Sequence, residues 1–352
     1  MINDPHGFIP ALAGNVAIIT GGHTGLGFGT SIELAKHGVR VYIASRSEAK
    51  FRDAKQDIIA EHPEADIRLL KLDLADLDNV REAAEWFSHQ ESSLHLLINN
   101  AGVMCVPYEE TNQGFEIQMA VNYIGHFLFT ELLLPMLQRA TEKADKGSVR
   151  IVNVSSDGHA KLAPKEGIVF SDMNMKNFSV WARYGHSKLA NILHAKELAK
   201  RYPDILTFSL HPGTVKTNLS AGPISSTPLY RLIKPLVELG APGPRKGAAN
   251  ILFAAVSPSL KREADNGAYL LPVGKVSAPS KAGSDAKMAE TLWDWTVKAL
   301  RSRGKRIIIS TKFLQQMKVS PSLAYKCQFF AIDGCQHHPR AANEGYALIM
   351  MI

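Results

Sequence analysis

Short β-branched runs separated by longer stretches of helical period are the feature that most constrains what this chain can fold into. The runs are NVAIIT (Asn15 to Thr20), VRVYIAS (Val39 to Ser45), IRLLKLDL (Ile67 to Leu74), LHLLIN (Leu94 to Asn99), VRIVNVSS (Val149 to Ser156), ILTFSLH (Ile205 to His211) and AYLLPV (Ala268 to Val273). Helical period fills the intervals, as over Ser47 to Glu61 and Gln113 to Arg139. Such alternation predicts an α/β fold, a doubly wound parallel sheet of seven strands with helices on both faces. The runs are almost continuously apolar, so each strand should be buried on both sides. Residues 1–304 are expected to form one domain with its substrate pocket built in.

Two segments break the alternation. Asp157 to Ala182 reads as a long loop, and Ser220 to Arg245 places a short apolar helix between Pro and Gly hinges, as a lid over a pocket would be. Its core, PLYRLIKPLVEL, also has the character of an interfacial helix, although a lid is preferred. The longest apolar stretch, Phe127 to Leu137, carries Glu131 and Pro135 and is shorter than the roughly 18 residues a membrane span needs. No signal peptide is evident, and the three cysteines form no close-spaced pair, which suits a reducing, cytoplasmic setting.

The net charge of +7 does not mark a nucleic-acid binder. Residues 1–300 hold 32 basic and 31 acidic side chains, and the other eight basic and two acidic ones lie from Arg301 onward. A basic face on the folded body is therefore not expected. Residues 305–352 are expected to be a poorly ordered basic extension. Its CQFFAIDGCQHH is a poor zinc template, so no metal site is predicted.

Chemistry concentrates at the ends of the apolar runs. TGGHTGLG, Thr20 to Gly27, sits at a strand-to-helix junction, where Gly21, Gly25 and Gly27 permit a tight turn and close approach to a pyrophosphate. The next run ends in Ser45 and Arg46 instead of an acid. A guanidinium there suits a ribose phosphate, so NADP is expected over NAD. Tyr184 and Lys188, in YGHSK, stand one helical turn apart on one face.

LDL at Leu72 to Leu74, NNAG at Asn99 to Gly102, VN at Val121 and Asn122, VNVSS, YGHSK and HPGTVKTNL at His211 to Leu219 follow in one order. Together with the glycine turn they closely resemble the short-chain dehydrogenase/reductase family over about residues 10–300. The wording around Tyr184 looks most like the group with retinol dehydrogenases, the WW-domain oxidoreductase and fungal secondary-metabolism reductases. The resemblance implies a Rossmann-type fold and a catalytic set of Asn122, Ser156, Tyr184 and Lys188. It implies a dinucleotide site formed by Gly21, Thr24, Gly25, Leu26, Gly27, Ser45, Arg46, Asp73, Leu74, Asn100, Ala101, Gly102, Asn122, Tyr184, Lys188, Pro212, Gly213, Val215 and Thr217. Thr24 stands where many NADP users of the family carry a basic residue, a departure that leaves use of both dinucleotides open.

A free phenol titrates near pKa 10, and Lys188 beside an oxidised nicotinamide would favour its anion, making Tyr184 a general acid or base. Ser156 would donate to the substrate oxygen. Asn122 would anchor a water that resupplies Lys188 with protons. His23, His126, His186 and His211 receive no catalytic role. The expected activity is NADP-dependent hydride transfer to or from a carbonyl or secondary alcohol of an apolar small molecule, in secondary-metabolite biosynthesis. A membrane-surface retinoid or lipid reductase and a non-catalytic NADP sensor are the alternatives. Family likeness also suggests a homodimer or homotetramer formed through Gln113 to Arg139 and Tyr184 to Arg201.

Overall fold

A computed structural model describes residues 9–213, 215, 242–260 and 262–303. Thr217, most of the expected lid and the extension 305–352 lie outside the described residues.

All seven apolar runs are strands: β1 (Val16–Thr20), β2 (Arg40–Ser45), β3 (Ile67–Lys71), β4 (Leu96–Asn99), β5 (Arg150–Val154), β6 (Leu206–Leu210) and β7 (Tyr269–Leu271). The sheet has the order β3-β2-β1-β4-β5-β6-β7-β8 and is parallel until its last pair. The expected seven strands are one short. The eighth, β8 (Lys275–Ser277), runs antiparallel to β7 at the sheet edge, where Val276 is half exposed and no apolar run is needed to form it.

The order reverses between β1 and β4, and it is outside the carboxyl ends of the strands at such a switch point that open α/β sheets bind their ligands. Helix α1 (Gly25–Lys36) leads out of β1, and α2 (Glu48–Glu61) follows β2 with Ser47 capping the Lys50 amide. Helix α3 (Leu77–Gln90) is capped by Asp76, which takes the amides of Asp78 and Asn79. Helix α4 (Ile117–Lys143) contains a π-helical turn over Ala120–Ile124. The expected loop after β5 instead contains a short helix, α5 (Gly158–Lys161), before α6 (Val180–Arg201). Next come α7 (Pro244–Gly247), α8 (Ala249–Val256), α9 (Arg262–Asp265), α10 (Lys281–Ser284) and α11 (Ala286–Arg303).

One face of the sheet is closed by Ile32 and Leu34 of α1, Phe51 and Ile58 of α2, and Ile251 and Leu252 of α8, all packed on strand residues such as Ile19, Ile43 and Phe208. Buried Arg150 on β5 donates to the carbonyls of Ala254 and Ser257 at 3.0 and 2.8 Å, satisfying the end of α8. On the second face, α3 packs against α4, and α11 packs against α6. Helix α4 is apolar and long enough to cross a membrane, but 78% of its apolar window is buried within this fold, as in a core helix.

Residues Arg183 to Ala195 of α6 are all buried. Trp293 of α11 stacks against Phe127 and His194 at centroid distances of 4.7 and 5.9 Å, and Thr296 bonds the Tyr123 hydroxyl at 2.8 Å. The outer side of α6, which was expected to meet a second copy, is thus covered by the chain's own α11.

Candidate active site

The site grows from the end of β1. Gly21 and Gly25 have φ of +66° and +54°, the left-handed region that glycine enters without steric cost. A β-carbon at Gly27 would lie 2.3 Å from the Gly21 carbonyl oxygen, so only hydrogen fits where α1 meets the turn. Thr24 occupies the N-cap of α1, but its side chain takes none of the helix amides, leaving them to an anion. Leu26 and Val215 meet across Gly247, where an added β-carbon would touch both.

Thr20 joins this turn to the next strand end. Its hydroxyl oxygen accepts the amides of Asn100 and Ala101, each at 2.9 Å, while the Asn100 side chain donates to the Thr20 carbonyl at 2.9 Å. The same hydroxyl lies 2.8 Å from Nε2 of His126, whose Nδ1 lies 3.1 Å from the Asn122 carbonyl. A carbonyl only accepts, so Nδ1 carries the proton, Nε2 accepts, and Thr20 donates to it. Burial, reinforced by Lys188, pushes His126 down to about 3 despite the bond to Asn122, so the ring is neutral and this tautomer is fixed. Thr20 and His126 were missed because their pairing spans 106 residues and has no local signature.

Asn122 lies in the π-helical turn, a deviation that recurs at functional sites. Its Oδ1 accepts the Val103 amide at 2.8 Å, and its Nδ2 donates to the Val103 carbonyl and to Ser187 Oγ at 3.0 and 2.9 Å. Its carbonyl also faces His126, so Asn122 is a clamp between three segments. Gly102 faces the clamp: a β-carbon there would lie 3.0 Å from Asn122 Oδ1 and 3.4 Å from Lys188 Nζ.

Helix α6 is held to β5 by its polar groups. Ser155 donates to the Lys188 carbonyl at 2.7 Å, and Lys188 Nζ and Asn191 Nδ2 donate to the Val154 carbonyl at 3.0 and 3.1 Å. The Lys188 ammonium lies 5.8 Å from the Tyr184 ring centroid. Tyr184 and Ser156 meet at Gly158, where an added β-carbon would come 3.2 Å from Tyr184 Cε1 and 3.4 Å from Ser156 Oγ. Ser156 and Tyr184 are thus together at Gly158, and Lys188, beside Gly102, faces the same ring.

Burial dominates the electrostatics of the pair. Burial raises the Tyr184 phenol well above its ordinary value, more than Ser156 lowers it, and burial brings Lys188 down to about 8. The Lys188 ammonium donates to the Val154 carbonyl while facing the Tyr184 ring. Tyr184 is thus a firmly protonated donor.

The other sequence candidates frame the adenosine side. Ser45 is buried, and its hydroxyl bonds both the amide and the carbonyl of Ser47, each at 3.1 Å, which shapes the turn. Arg46 is 72% exposed at its side chain and stands 3.8 Å from Asp73. Asp73 takes the Ala75 amide, and the Leu74 carbonyl lies so close to Gly125 that a β-carbon there would approach within 2.4 Å. His23 is lowered by burial, then by Lys50 and Arg46, and its shielded Nδ1 has no hydrogen-bond partner. Lys50 is a member of this group that the sequence reading missed. On the far side, Gly213 has φ +87° and packs on Pro272, and Pro212 follows His211, whose carbonyl takes Asn250 Nδ2 at 2.7 Å.

The chain's own features fit a nicotinamide dinucleotide: uncapped α1 amides, a glycine turn that admits no β-carbon, an orphaned His23 nitrogen beside two cations, and a Gly102 turn set against Lys188. A doubly wound sheet with a glycine turn after its first strand, and a serine after β5 facing a tyrosine and a lysine on α6, defines a nicotinamide-dependent oxidoreductase.

The comparisons agree. The family model for short chain dehydrogenase matches residues 15–225. The chain is 45% identical to the short-chain dehydrogenase/reductase drtF of Aspergillus calidoustus, covering 84% of this chain and 96% of the relative. It is 38% identical to retinol dehydrogenase 12 of Homo sapiens over 83% of this chain and 88% of that one. Among solved structures, an uncharacterized protein from Mycobacterium paratuberculosis superposes with a TM-score of 0.64 at 31% identity, covering 83% of this chain and 96% of that one. The Pseudomonas aeruginosa RhlG/NADP active-site complex has a TM-score of 0.58 at 22% identity, covering 77% and 98%. The chain belongs to the short-chain dehydrogenase/reductase family, whose members use NAD(P) and act on small molecules.

Proposed function

We propose that the protein uses NADPH to reduce the carbonyl of an apolar small molecule to an alcohol, in the cytoplasm, on a route to a natural product. The observation that carries this reading is the meeting of Ser156 and Tyr184 at Gly158 with the Lys188 ammonium 5.8 Å from the same ring. When bound, the reduced nicotinamide supplies the hydride. Tyr184, kept protonated by burial, gives its proton to the carbonyl oxygen. Ser156 donates a hydrogen bond to the same oxygen as its charge grows. Lys188, near 8, is mostly an ammonium at neutral pH and stabilises the phenolate left behind. Leu162, beside Gly158 and the phenol, gives the pocket apolar character.

Preference for NADPH over NADH is supported by Arg46 at the end of β2, where an acid would repel a phosphate, with Lys50 in α2 and His23 in the turn after β1 beside it. The test is NADPH consumption, followed by nicotinamide absorbance, against a panel of ketones, aldehydes and quinones. Tyr184→Phe is expected to lower kcat about 10²- to 10⁴-fold while NADPH still binds. Unchanged turnover would remove Tyr184 as proton donor and leave a dinucleotide-binding protein.

A further inference from the structure

We propose that Asp157 is a substrate-recognition residue, and that the carbonyl this enzyme prefers carries a hydroxyl on the α or β carbon. The assignment rests on the carbonyl-reductase reading of the site. Asp157 directly follows Ser156, and its Oδ1 lies 3.2 Å from the Ser156 hydroxyl, which donates to it. Ser156 Oγ and the Tyr184 ring both lie against Gly158, 3.4 and 3.2 Å from where a β-carbon there would be. A reacting oxygen has to sit about 3 Å from both hydroxyls, so the carboxylate is one hydrogen bond from the reaction centre.

A carboxylate at that place opposes reduction of a plain ketone for three reasons. It holds the Ser156 proton that the substrate oxygen needs. Its charge also opposes the negative charge that grows on that oxygen, and it already disfavours the Tyr184 phenolate. Finally, its side chain is 42% exposed, and an apolar substrate closing over it would strip water without replacing a donor.

The neighbouring groups do not remove these costs. Lys161 reaches Oδ2 at 2.5 Å, but its own side chain is 72% exposed, so the pair is well screened. The His211 ring lies 3.9 Å from Oδ1, but its Nδ1 accepts the Asp157 amide at 3.2 Å and has no proton to give. Burial pushes the Asp157 carboxyl up, yet Lys161, His211 and Ser156 outweigh it and hold the group below its ordinary value. Asp157 is therefore an acceptor with lone pairs to spare.

A substrate hydroxyl answers the first and the third of these conflicts. In an α- or β-hydroxy carbonyl the two oxygens lie roughly 3 Å apart, close to the separation of Ser156 Oγ and Asp157 Oδ1. The hydroxyl donates to Oδ1 in place of Ser156, the serine proton turns to the carbonyl oxygen, and the carboxylate regains a partner.

The experiment compares α-hydroxyacetophenone with propiophenone, in which a methyl replaces the hydroxyl. The kcat/KM ratio of the two is measured with NADPH for the wild type, Asp157→Asn and Asp157→Ala. Asp157→Ala is expected to lower the ratio about 10- to 100-fold, and Asp157→Asn, which keeps an acceptor oxygen, to fall between. A ratio that Asp157→Ala leaves unchanged overturns the assignment, whether both activities fall together or neither moves. If the wild type reduces other ketones of the panel but not the hydroxyketone, the Asp157 assignment alone fails. If it reduces no carbonyl at all, the reductase reading fails with it.

Discussion

Acidification from pH 7 to 5 should destabilise the fold through three histidines that it holds neutral. His126, His186 and His194 are buried, and burial, as the leading cause in each, lowers them from 6.5 to about 3, 4 and 3. In the unfolded chain they take up protons near 6.5, while in the fold they do not. Their contribution is therefore complete above 6.5 and shrinks as the pH falls from there toward 3 to 4. Between pH 7 and 5 each loses about 2 kcal/mol, or about 6 kcal/mol together.

Glu131 works in the opposite direction. Its Oε1 is shielded without a hydrogen-bond partner, and burial, only partly offset by Arg201, raises the carboxyl from 4.5 to about 8. It is protonated in the fold and ionised in the unfolded chain, so its contribution is complete below 4.5 and is lost as the pH rises toward 8. Going from pH 7 to 5 it returns about 2 to 3 kcal/mol, leaving a net loss of about 3 kcal/mol, a large part of a typical 5 to 15. Urea unfolding followed by tryptophan fluorescence at pH 7, 6 and 5 measures this, since Trp293 is buried against His194. His194→Phe should make the loss smaller by about 2 kcal/mol, and Glu131→Gln should make it larger by about the same amount. Stability that does not change between pH 7 and 5, or a His194→Phe variant with the wild-type pH slope, would refute the reasoning.

Other perturbations test the site and its supports. Gly185→Ala would put a β-carbon 2.3 Å from the Ala163 amide nitrogen and 2.8 Å from the Gly158 carbonyl, backbone that cannot rotate away. It should cost about 1 to 3 kcal/mol and lower kcat by moving α5 off Tyr184, as thermal unfolding and turnover would report. Arg46→Ala should raise KM for NADPH about tenfold while leaving KM for NADH nearly unchanged, measured by parallel steady-state kinetics with the two cofactors. Because α11 covers α6, light scattering after size exclusion should give the mass of one chain, and a dimer would require a different surface.

What could be read from the sequence divides along the range of the interactions involved. Parallel strands buried on both faces must be apolar throughout, so Ile18, Ile43 and Val152 announce β1, β2 and β5 without knowledge of their neighbours. Strand β8 has no such requirement, with Lys275 and Val276 exposed, and left no apolar run to find. The Tyr184 and Lys188 pair was legible because helical spacing alone brings them together. The burial of that phenol was not, since it depends on how completely α5, β5 and α6 exclude water. Asp157 was passed over for a related reason: next to a catalytic serine it looks like a loop acid, and only the 3.2 Å contact shows what it holds.

The catalytic set is placed by backbone surfaces from which side chains are missing. Gly102 lets the turn after β4 lie against Asn122 and Lys188, Gly158 takes the Tyr184 ring, Gly185 lets α5 press on α6, and Gly125 admits the Leu74 carbonyl against α4. At Gly185 and Gly125 a single methyl group would force two elements apart, and at Gly102 and Gly158 it would crowd the side chains of Asn122 and Tyr184. Hydride and proton transfer demand positioning within about 0.5 Å, so a displacement of α5 too small to unfold the chain would still separate Ser156 from Tyr184. Substitutions at these glycines should therefore reduce turnover more steeply than stability, whereas truncations in the core facing α1, α2 and α8, such as Ile251→Ala, should do the reverse.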